Sequence, residues 1–153
     1  MPMQPTQNLW PSEFGDVQIP VPVQILANQA DYFNKTMQNV LVASIVSHFQ
    51  ESSIWNENAQ MVHDFRIKVP ALGSYSLTIL SIYHDPIKLY PVRIEDKISE
   101  HQQTGKGRFI NLASNEDEIM HRLKEIFGSR EMAETIASLK AQSKYSVSGS
   151  YSS

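Results

Sequence analysis

The sequence predicts an α+β fold, a two-layer sandwich in which an antiparallel meander of four to five strands carries its helices on one face. Three observations support this prediction. A helical apolar stripe comes first, segments of strand character separated by short turns follow, and two helical segments close the chain. Consecutive strands joined by short turns favour antiparallel neighbours, and the helices must bury their stripes against the sheet. The expected order is α-β-β-β-β-(β)-α-α, with one N-terminal and two C-terminal helices.

The composition bounds both size and chemistry. The chain has 153 residues, enough for one domain, which we expect to span residues 22–142. It contains no cysteine, which excludes a disulfide framework, a cysteine–zinc site, an iron–sulfur cluster and a thiol nucleophile. A formal net charge of -3 argues against a general nucleic-acid binder, because such proteins usually carry a basic footprint.

Residues 1–21 are predicted to form an extended arm. Four of the eight prolines fall there, and proline fixes φ and removes a backbone N–H. The arm also holds Trp10 and Phe14, which a purely disordered segment would not usually carry. We therefore expect Trp10 to anchor the arm on the domain surface. A partner-binding arm is the alternative.

A first helix is predicted over residues 22–38. Pro22 suits the first helical position, where its missing N–H costs nothing. One apolar stripe then recurs at helical spacing along Val23, Leu26, Ala30, Phe33 and Met37.

Residues 40–49 are rich in β-branched side chains and hold no formal charge. Such a run is typical of a strand that is covered on both faces and therefore central in its sheet. The alternative is that these residues extend the first helix.

A hairpin is expected next. Residues 61–69 alternate between two side-chain sets, which predicts a strand with one solvent-exposed face, and residues 70–73 turn the chain into a third strand over 75–83. The sheet face opposite the helices is expected to include Val62, Ser76, Thr78 and Leu80.

Residues 87–94 are predicted to form a fourth strand. Pro91 cannot donate to a ladder, so this strand is expected to be an edge or to carry a bulge. Residues 95–107 are predicted to be a polar loop, and residues 108–112 a short fifth strand.

The C-terminal third predicts two helices. Ser114 is expected to cap the first, with three acidic residues in the opening turn, and Gly128 to end it. Ser129 can cap the second, which is expected to end near Gln142. The serine-rich residues 143–153 are predicted to be a disordered tail.

Two His-Asp dipeptides, His63-Asp64 and His84-Asp85, are the main candidates for catalysis. If the second and third strands form a hairpin, His63 lies roughly opposite residues 80–84, close to His84. A histidine near a carboxylate can do acid–base chemistry near neutral pH, so His63, His84 and Asp85 are the catalytic candidates. The alternative is a partly buried histidine beside a solvated Asp64, with Asp85 forming a turn before Pro86.

Metal and nucleic-acid sites receive less support. His48, His63 and His84 would bind zinc or copper only if they converged, and their spacing is no local ligand motif; we expect no metal and no cofactor. Lys106 and Arg108 lie in a glycine-containing loop that could contact phosphate or nucleic acid. Nearby acids weaken that field, and a flexible, charged loop is the alternative.

The sequence contains no recognisable catalytic motif, and this favours a small, soluble, non-enzymatic protein–protein interaction module of the chaperone, inhibitor, immunity or adaptor type. The partner would be another protein or a second copy of the chain, with Trp10, Trp55 and Tyr90 as aromatic contacts. The alternatives are a small enzyme or ligand-binding domain with a His63/His84 pocket, and a phosphate or nucleic-acid contact through Lys106 and Arg108. The N-terminus lacks the pattern of a secretory signal, so the cytoplasm is the expected compartment, without a membrane partner.

Overall fold

The computed structural model describes residues 6–51, 59–73, 75–102 and 110–149. Within these ranges, five antiparallel strands form one sheet in the order of the chain: β1 (Val42–Gln50), β2 (Gln60–Val69), β3 (Tyr75–His84), β4 (Val92–Asp96) and β5 (Ile110–Ala113). The helices are α1 (Pro22–Met37), α2 (Lys97–Gln102), α3 (Glu116–Phe127) and α4 (Arg130–Gly149), and a 3-10 turn spans Pro70–Leu72. The predicted α+β class with a meander sheet is confirmed. None of the helices in the described ranges is long and apolar enough to cross a membrane.

Helix α1 begins at Pro22, as predicted, and buries Ile25, Leu26 and Ala30. It ends where Gln38 and Asn39 both take positive φ angles, which right-handed helix cannot continue through. The next residues form β1, so the strand prediction is correct and the helix extension is not.

The predicted central position of β1 is wrong. β1 pairs only with β2 in the described sheet and lies at its edge, and residues 46–50 are exposed. Its apolar, β-branched composition indicates a strand but does not say how many neighbours that strand has. Two of its apolar side chains, Val46 and Phe49, face solvent instead of a second layer.

A β-bulge interrupts β3. Phe65 pairs with Leu80 but Arg66 pairs with Thr78, so Ile79 is an extra residue in the ladder. Strict alternation would put Leu80 on the same face as Thr78, and that prediction is wrong: Leu80 is fully buried opposite Phe65. The bulge shifts the side-chain phase, so that Leu80, Ile82 and His84 lie on the face of Phe65 and His63 and not on that of Thr78.

The two sheet faces differ in cover. The helix face packs against α1 and α3 and carries Ala43, Phe65 and Ile82; the ring centroid of Phe65 lies 5.5 Å from that of Phe127 in α3. The opposite face, here called the cleft face, carries Asp64, Ser81 and Tyr83 and lines an open cleft whose other wall comes from α2 and α4.

Strand β4 corrects two further predictions. Pro91 precedes the strand, and β4 lies between β3 and β5, so it is not an edge. The prediction of a loop from residue 95 is also wrong, because Glu95 and Asp96 end β4 and α2 follows directly. The Asp96 carboxylate starts this helix by accepting the backbone N–H groups of Ile98 and Ser99 at 3.1 and 3.0 Å. Side-chain capping of this kind satisfies donors that the first helical turn leaves unpaired.

Both C-terminal helices form, with adjusted ends. The cap of α3 is Asn115, whose side chain accepts the N–H of Glu118 at 2.9 Å, while the Glu118 carboxylate accepts the N–H of Ser114 at 2.8 Å. The pair resembles a capping box, except that the Glu118 carboxylate reaches the N–H of the residue before the cap, and the cap lies one residue after the predicted Ser114. Ser129 caps α4 through the N–H of Met132 at 3.2 Å. The predicted end near Gln142 is wrong, because α4 continues to Gly149 with Ser143 buried.

A side-chain hydrogen bond joins the N-terminal segment to the domain. The hydroxyl of Tyr90, which packs against the core, donates to the Pro20 carbonyl at 2.9 Å. Burial, with a smaller effect of Glu116, raises the pKa of the Tyr90 hydroxyl. The predicted Trp10 anchor is wrong: its side chain is 74% exposed and its ring lies 5.9 Å from that of Phe14.

Candidate functional site

Three polar side chains, Ser47, His63 and His84, occupy the helix face at one end of the sheet. Ser47 on β1 lies directly opposite His63 on β2. His63 lies opposite Ile82 on β3, inside the predicted range, and the phase shift at the bulge keeps His84 on the same face. The strand register therefore brings together residues that are 16 and 21 positions apart in sequence.

The three side chains form a continuous hydrogen-bonded row. Ser47 Oγ lies 2.7 Å from His63 Nδ1, and His63 Nε2 lies 2.9 Å from His84 Nε2. The two imidazole rings stack, with centroids 5.0 Å apart and an interplanar angle of 27°. We call this row the Ser47–His63–His84 relay.

Two backbone carbonyls determine where the protons lie in the relay. His84 Nδ1 is 2.8 Å from the carbonyl oxygen of Asp85 and 3.0 Å from that of Lys88. Carbonyls only accept, so His84 Nδ1 carries a proton and its Nε2 is an acceptor when the ring is neutral. His63 then donates from Nε2 to His84, and its Nδ1 accepts the hydroxyl proton of Ser47.

Burial keeps His63 neutral. The side chains of His63 and His84 are 5% and 7% exposed. Burial is the main reason that the pKa of His63 falls from 6.5 to about 4, and the neighbouring His84 lowers it further. Ser47, by contrast, is exposed. The relay therefore runs from a buried neutral base to a hydroxyl at the surface.

Asp85 takes part through its backbone and not through its carboxylate. Its Oδ1 accepts the N–H of Ile87 at 2.9 Å and stabilises the turn after β3. The alternative interpretation of Asp85 as a turn residue describes this contact, while its carbonyl orients His84.

A second polar cluster occupies the cleft face, behind the relay. The Asp64 carboxylate accepts the hydroxyl of Ser81 at 2.5 Å, and its Oδ2 lies 3.2 Å from His48 Nε2 and 3.6 Å from the Arg66 guanidinium. Because His48 lies on this face, it does not converge with His63 and His84. Among the residues that the structure describes, no group of three or more His, Asp or Glu side chains could hold a metal ion.

The cleft on this face has a volume of about 1190 Å³ and combines hydroxyl-bearing with apolar side chains, among them Thr78, Ser81, Thr135, Ser138 and Leu139. Beside it, Glu95 is fully buried, accepts the Tyr83 hydroxyl at 2.8 Å and pairs with Lys97 at 2.6 Å. These partners stabilise a buried carboxylate that would otherwise be costly.

Comparison of the chain with protein-family models, with curated proteins and with solved structures finds no match.

The outer edge of β1 is the third feature of this region. The Asn34 side chain donates to the carbonyl of Ala43 at 3.0 Å and accepts its N–H at 2.6 Å, so the Ala43 peptide groups point away from β2. Polar groups alternate sides along an antiparallel strand, and the β1–β2 register is unbroken. The N–H and C=O groups of Ile45, Ser47 and Phe49 therefore point outward, and within the described ranges they have no hydrogen-bond partner.

The remaining candidates divide between the surface and the undescribed ranges. Trp10 stays an exposed interaction candidate, whereas Tyr90 is engaged with the core and with Pro20. Trp55, Lys106 and Arg108 lie outside the described residues.

Sequence reasoning missed Ser47. Alternate residues of β1 bring Ala43, Ile45, Ser47 and Phe49 to the helix face, and Ser47 is the polar residue in this otherwise apolar set. Only the register of β1 against β2 shows that this hydroxyl meets a histidine.

Proposed function

We propose that the chain is a protein–protein interaction module that binds its partner by strand addition at the outer edge of β1. One observation carries the proposal: the outward backbone groups of Ile45, Ser47 and Phe49 are unpaired among the described residues. An added strand gains affinity from main-chain hydrogen bonds with such an edge. Natural edges are usually protected by charge or proline, and residues 45–50 contain neither Lys, Arg, Asp, Glu nor Pro.

The strand that this edge accommodates is β1 of a second copy. In a two-fold antiparallel arrangement centred on Ser47, Ile45 of each copy lies opposite Phe49 of the other. This pairing makes about six backbone hydrogen bonds, two for each outward pair. It also places a β-branched side chain beside an aromatic one, a favourable cross-strand combination.

Asn34 sets the extent of the interface. Its amide occupies the outward groups of Ala43, so pairing stops before that residue. In the two-fold arrangement, Ala43 lies opposite residue 51 of the other copy, so the same limit applies at both ends. The usable edge is therefore residues 44–50.

The exposed side chain of Phe49 allows a test of the backbone alone. The variant Phe49→Pro removes one outward N–H per copy, which β1 does not use to pair with β2. The matched control, Phe49→Ala, removes the ring but keeps the N–H. We expect the wild type to sediment as a dimer, Phe49→Ala to raise the dissociation constant by a few-fold, and Phe49→Pro to raise it by about tenfold or more.

Two results would contradict the proposal. A wild type that stays monomeric at every concentration overturns the second-copy interface. Capture from host lysate with the tagged wild type and the same two variants then tests strand addition itself: if Phe49→Pro retains the captured protein as well as Phe49→Ala does, the edge is not the binding surface.

The second candidate function is a small enzyme or ligand-binding domain, and a specific contact favours it. His63 and His84 are hydrogen-bonded to each other, and His63 is also hydrogen-bonded to the exposed Ser47 hydroxyl. The phosphate or nucleic-acid candidate depends on Lys106 and Arg108, and retention on heparin tests it. A chain without cysteine suits the reducing cytoplasm, the compartment we propose.

A further inference from the structure

The relay has the connectivity of an activated nucleophile. A hydroxyl is a weak nucleophile until an adjacent base accepts its proton, and that base must be oriented by a third group. Ser47 Oγ lies within hydrogen-bond reach of His63, His63 is held by His84, and two carbonyls hold His84. Every nitrogen of both rings has a partner, and the row ends at a side chain that solvent can reach.

We propose that Ser47 is a nucleophile for acyl transfer from carboxylic esters, with His63 as general base and His84 as the residue that positions His63. This activity goes beyond the interaction function and uses different atoms. Strand addition uses the backbone groups at the edge of β1, whereas the relay uses side chains on the helix face.

The reaction balances without any further reagent. Ser47 Oγ forms a bond to the carbonyl carbon of the ester while its proton passes to His63 Nδ1. The bond between that carbon and the leaving alkoxide then breaks, and the alkoxide takes the proton from His63. The products are an alcohol and acyl-Ser47. Water attacks this ester in the same way, again through His63, and releases the carboxylic acid and the free hydroxyl.

His84 has a defined part in the first step. When His63 accepts the hydroxyl proton it becomes a cation that donates from both nitrogens. Its Nε2–H already points at the unprotonated Nε2 of His84, so no reorientation is needed. His84 is a neutral acceptor and stabilises this cation less than a carboxylate would, so we expect reaction with activated esters and slow turnover.

The first test uses diisopropyl fluorophosphate, which labels activated serines covalently. The intact mass of the wild type should increase by one label, and peptide mapping after digestion should assign this label to Ser47. The Ser47→Ala variant should not be labelled. The matched control is Ser44→Ala, because Ser44 is exposed on the same strand but faces the other side of the sheet. A wild type that takes no label, or a Ser47→Ala variant that is labelled equally, overturns the proposal.

The second test separates positioning from mere support of the fold. Burial is the main cause of the lowered pKa of His63; His84 and His48 lower this pKa further, and Asp64 raises it. The labelling rate of the wild type should therefore fall as the pH decreases, because His63 becomes protonated, with a midpoint near pH 4. In His84→Gln the rate should drop, by about 100-fold, and its midpoint should move upward. A folded His84→Gln variant, verified by near-UV circular dichroism, with unchanged rate and midpoint overturns the positioning role. If His84→Gln does not fold, His84→Asn is measured in the same way.

The two proposals fail separately. Phe49→Pro keeps the Ser47 hydroxyl and both imidazoles, so it should still be labelled while it loses self-association. Ser47→Ala keeps every backbone group of the edge, so it should still associate.

Discussion

His63 shows how one buried side chain couples folding to pH. In the native protein it is a neutral base with a pKa of about 4, whereas in the unfolded chain its pKa is 6.5. Between these values the unfolded state binds a proton that the native state does not bind. Stability therefore declines as pH falls through this window.

The size and origin of this decline can be measured. The free energy of unfolding should be unaffected by His63 above about pH 6.5 and should fall by at most about 3 kcal/mol by pH 4. Urea unfolding at a series of pH values gives the slope. His63→Gln should have a flatter profile over the same window; a profile as steep as that of the wild type would assign the proton uptake to other groups.

At the scale of single elements, the start of α3 shows which of two neighbouring residues caps the helix. The sequence pattern favours Ser114, whereas the structure uses the Asn115 side chain and only the backbone of Ser114. Both residues belong to the cap-forming types, so composition alone does not distinguish them. The cap is the residue whose side chain accepts the N–H three positions later, and Asn115 does so with Glu118.

Substitution at each position tests this assignment. Asn115→Ala should lower the free energy of unfolding by about 1 kcal/mol, because it leaves the Glu118 N–H without its acceptor. Ser114→Ala keeps the backbone bond to Glu118 and should stay within about 0.5 kcal/mol of the wild type. Thermal or urea unfolding of the two variants gives the comparison, and the reverse ranking would restore Ser114 as the cap.

For the molecule as a whole, Asn34 decides how much of the sheet edge is open to another strand. Its amide imitates a strand by making two hydrogen bonds to Ala43. Removing it opens these two groups and lengthens the free edge toward the start of β1. A longer edge offers more main-chain pairing to a partner.

The variant Asn34→Ala should therefore be less stable by about 1–2 kcal/mol and should associate more strongly or aggregate. Thr36→Ala is the control, because its hydroxyl bonds only within α1, to the Tyr32 carbonyl. Light scattering at matched concentrations compares the two. Equal association of both variants would show that Asn34 does not limit the edge.

Most of the architecture follows from local patterns. Proline at a helix start, alternation along β2, and small turn residues after it are short-range signals, and each marks its element. What the patterns do not contain is the neighbour of each strand. The uncharged run of β1 therefore predicts a central strand, although β1 lies at the edge of the sheet.

The candidate site was predictable only in part, for the same reason. His63 and His84 belong to one hairpin, so counting from its turn brings them close. Ser47 joins them through a different pairing, across the undescribed segment between β1 and β2, and no local signal gives that register. The capping carbonyls of Asp85 and Lys88 depend on the turn geometry after β3.

The extra residue in β3 has a consequence for how this chain can vary. The residues on the two sides of Ile79 follow opposite parities, because Ile79 is accommodated as one extra residue in the ladder. A chain without Ile79 would keep Phe65 opposite Leu80 and Arg66 opposite Thr78, with regular alternation throughout β3. Both faces of the sheet would keep their side chains, and His84 would stay on the face of His63. This strand can therefore lose one residue without a change of register.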